Sequence, residues 1–325
     1  MEYTIPTYLP GELSPAPIPI HPEYNTMNLT QLQRFPEDKI RALLGLTKPA
    51  LGELLLVALP EKQRRRTQQQ HNKPQRKRKV GGGRKRLLQP YQEILLTLLY
   101  LRHNVAFAVV GMLFGVSADV AENTFHETVG LLRDVCPANR WEAEKRWTKK
   151  EPSWKPDEID QVIVDSFETP VPRPSLEPKQ RQLYSGKKKD HTLKTEIITN
   201  IEGDILAVDP GYRGPKSDKK LHEQSAVAKQ FPKAEVKADL GYQGLEHAEL
   251  PQKKPKGGEL TPEQKASNRA FSSVRVRVEH SIRRIKAFRI VRDEYRLATG
   301  LFGRTCCCVV GLVQLMSLVG EPSSV

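Results

Sequence analysis

The chain has 325 residues, 52 Lys and Arg against 38 Asp and Glu, and a formal net charge of +14. That length is ample for a large buried core, and 38% apolar residues suit a globular protein. Gly shows no period and only four Cys are present, three of them adjacent (Cys306, Cys307, Cys308), which excludes collagen, a disulfide scaffold and a paired-Cys zinc site and favours a reducing compartment.

No apolar run reaches membrane-spanning length, since the longest, from Cys306 to Val313, ends at Gln314. The first residues, MEYTIPTYLPGELSP, lack the basic and apolar parts of a secretory signal. A cytoplasmic, nucleoid-associated protein with a polyanionic partner, nucleic acid first, is the expectation.

Residues 1–27 are Pro-rich and read as a disordered lead-in. Residues 28–60 read as a small helical unit: Pro36 opens one helix, Thr47 is a candidate N-cap for the next, and Pro60 closes it. Residues 61–90 read as a flexible basic arm. From Lys62 to Arg86 there are 12 Lys and Arg and no acid, so 12 of the 14 net charges fall there. Arg64, Arg65, Arg66, Arg76, Lys77, Arg78, Lys79, Arg84, Lys85 and Arg86 are therefore candidate contacts to DNA phosphates. A solvated linker is the plainer alternative.

Residues 91–136 carry apolar positions at steps of three and four, a break at Gly115 and a capping Ser117. This fits a helix-turn-helix with Ala118–Leu132 as recognition helix; an ordinary helical hairpin fits equally. The exposed face of that helix would carry Glu122, Asn123, His126 and Glu127, which is not basic. Residues 137–158 read as a connection in which Trp141, Trp147 and Trp154 anchor local packing.

Residues 159–325 alternate strand and helix patterns, which predicts an α/β layer structure. IDQVIVDSF is a strand ending at Asp165, and AEVKADLGY another ending at Asp239. Between them lie a hairpin, turning at Glu202-Gly203-Asp204, and a helix over 221–231. A long helix over 262–288 and an apolar helix over 305–318 finish the chain. Strand-end Asp residues lie where open α/β sheets bind ligands. On the long helix Arg275, Glu279 and Lys286 share a stripe beside the apolar face. Glu279 can there complete a metal site with the two Asp; an Arg275–Glu279–Arg283 ion-pair ladder is the alternative. Three carboxylates suit Mg²⁺ or Mn²⁺, and two such ions suit phosphodiester cleavage.

The segments VIVDSFETPV, YSGKKKDHTLKTEIITN, GYRGPKSDKKL, ADLGYQG and FSSVRVRVEHSIRRIKAFR resemble the catalytic half of bacterial insertion-sequence transposases of the DDE superfamily, in the branch akin to Harbinger transposases. GGGRKRLLQPYQEILLTLLYLRHNVAFAVVGMLFGVS resembles the helix-turn-helix region that precedes it. The resemblance implies an RNase H-like mixed sheet flanked by helices and preceded by an all-α region. It implies two divalent ions (Mg²⁺, with Mn²⁺ able to substitute) and an Asp-Asp-Glu triad at Asp165, Asp239 and Glu279. It also implies partners: double-stranded DNA as terminal inverted repeats and target, and a second copy of the chain in a dimeric synaptic complex. Arg275, Glu279 and Lys286 match the last three positions of the family's Tyr-Arg-Glu-Lys signature, whereas Ser272 stands at the Tyr position. Asp218 matches another acidic position and ranks below Asp239, because no apolar strand leads into it. Lys187, Lys188, Lys189, Lys286, Arg275 and Arg283 are the expected DNA contacts of this half, with a solvated turn the alternative for the three turn lysines, and His191, Lys194 and Tyr242 are candidates for its supporting shell, with ordinary packing the alternative. A non-catalytic DNA-binding regulator and an RNase H-type nuclease are the rival functions.

Overall fold

The computed structural model of the chain describes Leu32, residues 34–71 and residues 86–320. The Pro-rich lead-in over 1–27 and the basic residues Arg76, Lys77, Arg78, Lys79, Arg84 and Lys85 lie outside the described residues.

Helix α1 (Glu37–Leu44) enters through Pro36 and places Glu37 and Asp38 at its positive end. Helix α2 (Lys48–His71) follows, and the Ala50 N–H donates to Thr47 Oγ1 at 3.4 Å, the expected N-cap contact. Contrary to expectation, Pro60 does not end α2. A proline frees the carbonyl four residues back, here that of Leu56, which is 69% exposed, so water can reach it. On the opposite side of the helix Leu54, Ala58 and Lys62 are buried and hold it in place.

Residues 61–71 of the expected flexible arm are therefore helix, and their charges are matched by Glu61 within the helix and by acids of other helices. Lys62 meets Glu93 at 2.8 Å, Arg64 meets Glu61 at 2.6 Å, and Arg65 meets Asp134 at 2.8 Å. Arg66 also pairs with Glu93, and Arg86 with Glu127 at 2.9 Å.

Next come α3 (Pro90–His103), α4 (Phe107–Phe114) and α5 (Ala118–Val135). Gly115, at φ +66°, makes the left-handed turn after α4, and Ser117 Oγ accepts from the Val120 N–H to start α5. Tyr100, Phe107 and Phe125 pack the three helices together. The connection holds α6 (Arg140–Thr148), where Trp147 is buried and Trp141 donates to the Trp154 carbonyl. These Trp residues are packing anchors, as expected.

The sheet contains β1 (Gln161–Pro170), β2 (Tyr184–Ser185), β3 (Asp190–Thr199), β4 (Ile205–Arg213), β5 (Glu235–Lys237) and β6 (Ala248–Glu249). Its order is β4-β3-β1-β5-β6, with β2 on the start of β3. The pairs β4–β3 and β3–β1 are antiparallel, and β1–β5 and β5–β6 are parallel. Between strands lie α7 (Glu177–Leu183) and α8 (Asp218–Gln224). The helix expected over 221–231 thus starts earlier and stops at Gln224, with a separate 3₁₀ turn at Ala228–Gln230. The chain ends with α9 (Pro262–Lys286), α10 (Arg289–Arg292) and α11 (Phe302–Leu315).

Alternate residues of β1 face opposite layers. Ile163 and Phe167 join the large core, whereas Val162 and Val164 join a smaller one with Ile198 and Tyr242. The stretch Thr299–Val319 has the length and apolarity to cross a membrane, yet its Cys306, Cys308, Val309, Val310 and Leu312 are interior. There α11 packs against α5, α6 and β4. One apolar core consequently runs from Leu54 and Leu95 through Phe125 and Leu132 to Val309 and Ile197. The helical units expected to be separate from the sheet share its interior.

Candidate active site

Asp165 does not end its strand, because β1 continues to Pro170. What stops at this level is its parallel neighbour. β5 pairs with β1 from Gln161↔Glu235 to Ile163↔Lys237 and then leaves the sheet. Asp165 and Asp239 each stand two residues past the last pair, and the Asp239 charge acts on Asp165. The Asp239 carboxylate accepts the Gly241 N–H at 2.8 Å and caps the turn that follows. Both acids thus lie beyond the end of the parallel pair, where such sheets leave room for a ligand.

Arg275 reaches down from α9 to Asp165 at 3.4 Å. The Ser166 N–H donates to the same carboxylate at 2.7 Å. Burial nonetheless pushes the Asp165 carboxyl up to about 6, and the Asp239 and Asp218 charges add to the effect. Lys286 lies over the Phe167 ring, 5.2 Å from its centroid, two residues along β1. Burial lowers its pKa, helped by Lys188 close by.

Arg275, Glu279 and Lys286 fall within about 40° of one another around a helix of 100° per residue. Glu279 therefore stands between two side chains that both reach the Asp165 stretch of β1. It is exposed and forms no ion pair among the described residues. The Arg275–Glu279–Arg283 ladder does not form, because Arg275 pairs with Asp165 instead. Arg283 turns away and lines a separate cavity with Arg41, Arg102, Arg284 and Phe288.

Lys187, Lys188 and Lys189 are exposed on the turn between β2 and β3, with Lys189 at φ +55°. His191 packs edge-on against Tyr184. Lys194 and Tyr242, by contrast, are buried under the acids. Asp218, ranked low in the sequence, is buried at the start of α8 and bonded to Ser166 and Lys194. The signal was Ser217-Asp218 opening a helix; the partner strand could not be read locally.

Among the described residues no three His, Cys, Asp or Glu side chains are already close enough to enclose a metal ion. Arg275 occupies one side of Asp165, and Glu279 stands off on α9. The donor set nevertheless fits a divalent cation. Its oxygens are hard, and burial with like charges opposes ionisation of Asp165, which a cation would favour.

A sheet of this order, with carboxylates at the end of its parallel pair and a long helix across β1, defines the RNase H-like class. The family described as DDE superfamily endonuclease matches residues 164–314, and the helix-turn-helix of DDE superfamily endonuclease matches residues 85–138. A protein of Microchaete diplosiphon named as a probable transposase for insertion sequence element IS702 is 32% identical over 225 residues, covering 68% of this chain and 78% of its own. One of Streptomyces albus G, named as a putative transposase for insertion sequence element IS112, is 26% identical over 203 residues, covering 61% of this chain and 70% of its own. No solved structure matches the chain. The chain belongs to the DDE-superfamily transposases of bacterial insertion sequences.

Proposed function

We propose that the protein cuts and joins the ends of its own element. The reading is supported by one observation: Asp165 and Asp239 each stand two residues past the last β1–β5 pair, and the helix across β1 carries Glu279 between Arg275 and Lys286, which both reach the Asp165 stretch. Asp165, Asp239 and Glu279 would hold a pair of divalent ions, Mg²⁺ with Mn²⁺ able to replace it. When bound, these supply charge neutralisation at the phosphate and acidify the attacking oxygen. Lys286, Lys188 and Arg275 would hold the phosphates flanking the scissile bond, and Lys187 and Lys189 the backbone farther out. In the first step water attacks the phosphorus at the element end, the P–O3′ bond breaks and a 3′-OH leaves. In the second that 3′-OH attacks a target phosphorus and displaces the target's own 3′ oxygen.

The helix-turn-helix and the basic residues before it would bind the terminal inverted repeats, in a dimer. Helix α5 shows Glu122, Asn123 and Glu127 to solvent, so phosphate attraction must come from Arg76, Lys77, Arg78, Lys79, Arg84 and Lys85. The test is strand cleavage and joining of an inverted-repeat duplex with Mg²⁺. Asp165→Asn, Asp239→Asn and Glu279→Gln should each lower the rate about 10³-fold or more while still binding the duplex. Full cleavage by any of them would overturn the assignment, and a wild-type chain that binds but never nicks would favour a regulator.

A further inference from the structure

We propose that Asp218 is a fourth carboxylate of the divalent-metal site, presented beside Asp239 by Ser166 and Lys194. This rests on the reading of Asp165 and Asp239 above. Asp218 Oδ1 accepts from Ser166 Oγ at 2.7 Å and from Lys194 Nζ at 3.0 Å. Ser166 directly follows Asp165, so the anchor is one residue from the first acid. Lys194 is itself fixed, donating to the Lys216 carbonyl at 2.8 Å with Glu168 at 3.8 Å. One oxygen of Asp218 is thereby satisfied twice.

The other oxygen is turned elsewhere. A Cβ placed on Gly241 would lie 2.6 Å from Asp218 Oδ2 and 2.9 Å from Asp239 Oδ1. Two carboxylate oxygens therefore converge on one glycine, which is there for space and not for a left-handed turn. Among the described residues Asp218 Oδ2 takes no hydrogen bond. Lys194 answers Asp218 from the Oδ1 side only, and Asp239 Oδ1 takes the Gly241 N–H, so Oδ2 of Asp218 is left to face the second carboxylate without a counter-charge of its own. An independent sign comes from Tyr242. Its hydroxyl is fully buried and has no partner, although Glu196, Asp218, Asp165 and Asp239 all act on it electrostatically. A buried hydroxyl without a partner is costly, and a water carried by a cation bound at these acids would supply one.

The measurement is Mn²⁺ binding to the metal-stripped full chain by titration calorimetry, with circular dichroism to check the fold. Asp165→Asn should weaken Mn²⁺ binding, and Asp218→Asn should weaken it about tenfold or more. Ser166→Ala, which frees Oδ1, and Gly241→Ala, which wedges the two oxygens apart, should each weaken it about threefold or more. Wild-type affinity in Asp218→Asn beside a loss in Asp165→Asn would make Asp218 a structural ion-pair partner and overturn the proposal alone. Wild-type affinity in Asp165→Asn would overturn the site on which it rests. Should Asp218→Asn fail to fold, wild-type affinity in both Ser166→Ala and Gly241→Ala would overturn the proposal.

Discussion

At Asp165 burial, Arg275 and two neighbouring carboxylates act on a single titrating group. Its carboxyl titrates at 3.8 in the ordinary state and at about 6 in the fold. Below the lower value both states are protonated and the group has no effect on stability. As pH rises through that interval the unfolded chain ionises first, so the fold loses stability, by about 3 kcal/mol once pH exceeds the upper value. Asparagine resembles the protonated form. Asp165→Asn should therefore raise the melting temperature of the metal-free protein at about pH 8 and leave it unchanged at about pH 3. The gain is smaller than that ceiling, since Arg275 loses its partner. An equal melting temperature at both pH values would show that burial is not what shifts this group.

Helix α2 is tied to α3 by one carboxylate. Glu93 is buried and answers Lys62 at 2.8 Å, Arg66 beside it, and Arg86 at 3.3 Å. Glu93→Gln leaves Lys62 buried without a counter-charge and should cost about 3–5 kcal/mol in denaturant unfolding. The pair Lys62→Met with Glu93→Leu should recover most of that loss; if it does not, the pair is more than a matched charge. This tie also shows where local reading stops. In the sequence Lys62 belongs to a basic arm because no acid follows it before Arg86, while its partner lies 31 residues on. Thr47, Ser117, the hairpin at Gly203 and the long helix from Pro262 are all legible, because caps, turns and periodicity are local. The position of Asp165 within β1 is not, since the open space there is made by β5 leaving the sheet. Asp218 ranks low in the sequence for the same reason: its worth comes from Ser166 and Lys194, far away in the chain.

Across the whole molecule the net charge of +14 divides into parts with different roles. Lys62, Arg64, Arg65, Arg66 and Arg86 pair with carboxylates of the chain. Outside the catalytic half, the salt-sensitive share of DNA affinity should then rest on Arg76, Lys77, Arg78, Lys79, Arg84 and Lys85. Replacing all six by Gln should flatten the slope of log affinity against log salt by about 0.9 for each phosphate no longer neutralised. Replacing Arg64 and Arg65 instead should change it little. An unchanged slope in the sixfold variant would remove that segment from the interface.

Helix α11 runs through the shared interior, touching α5 on one side and β4 on the other. Helix α5, the proposed recognition helix, and the strands that carry the acids are thus joined through one apolar core. On the proposed function the protein then works as a caliper, with the gap between the sequence it grips and the bond it cuts set by its own width. Inserting about five base pairs between the two in the DNA turns the original bond to the far side of the duplex, half of a turn of about 10.5. The cut should stay at its old distance from the gripped sequence and fall on whatever bases now occupy that place.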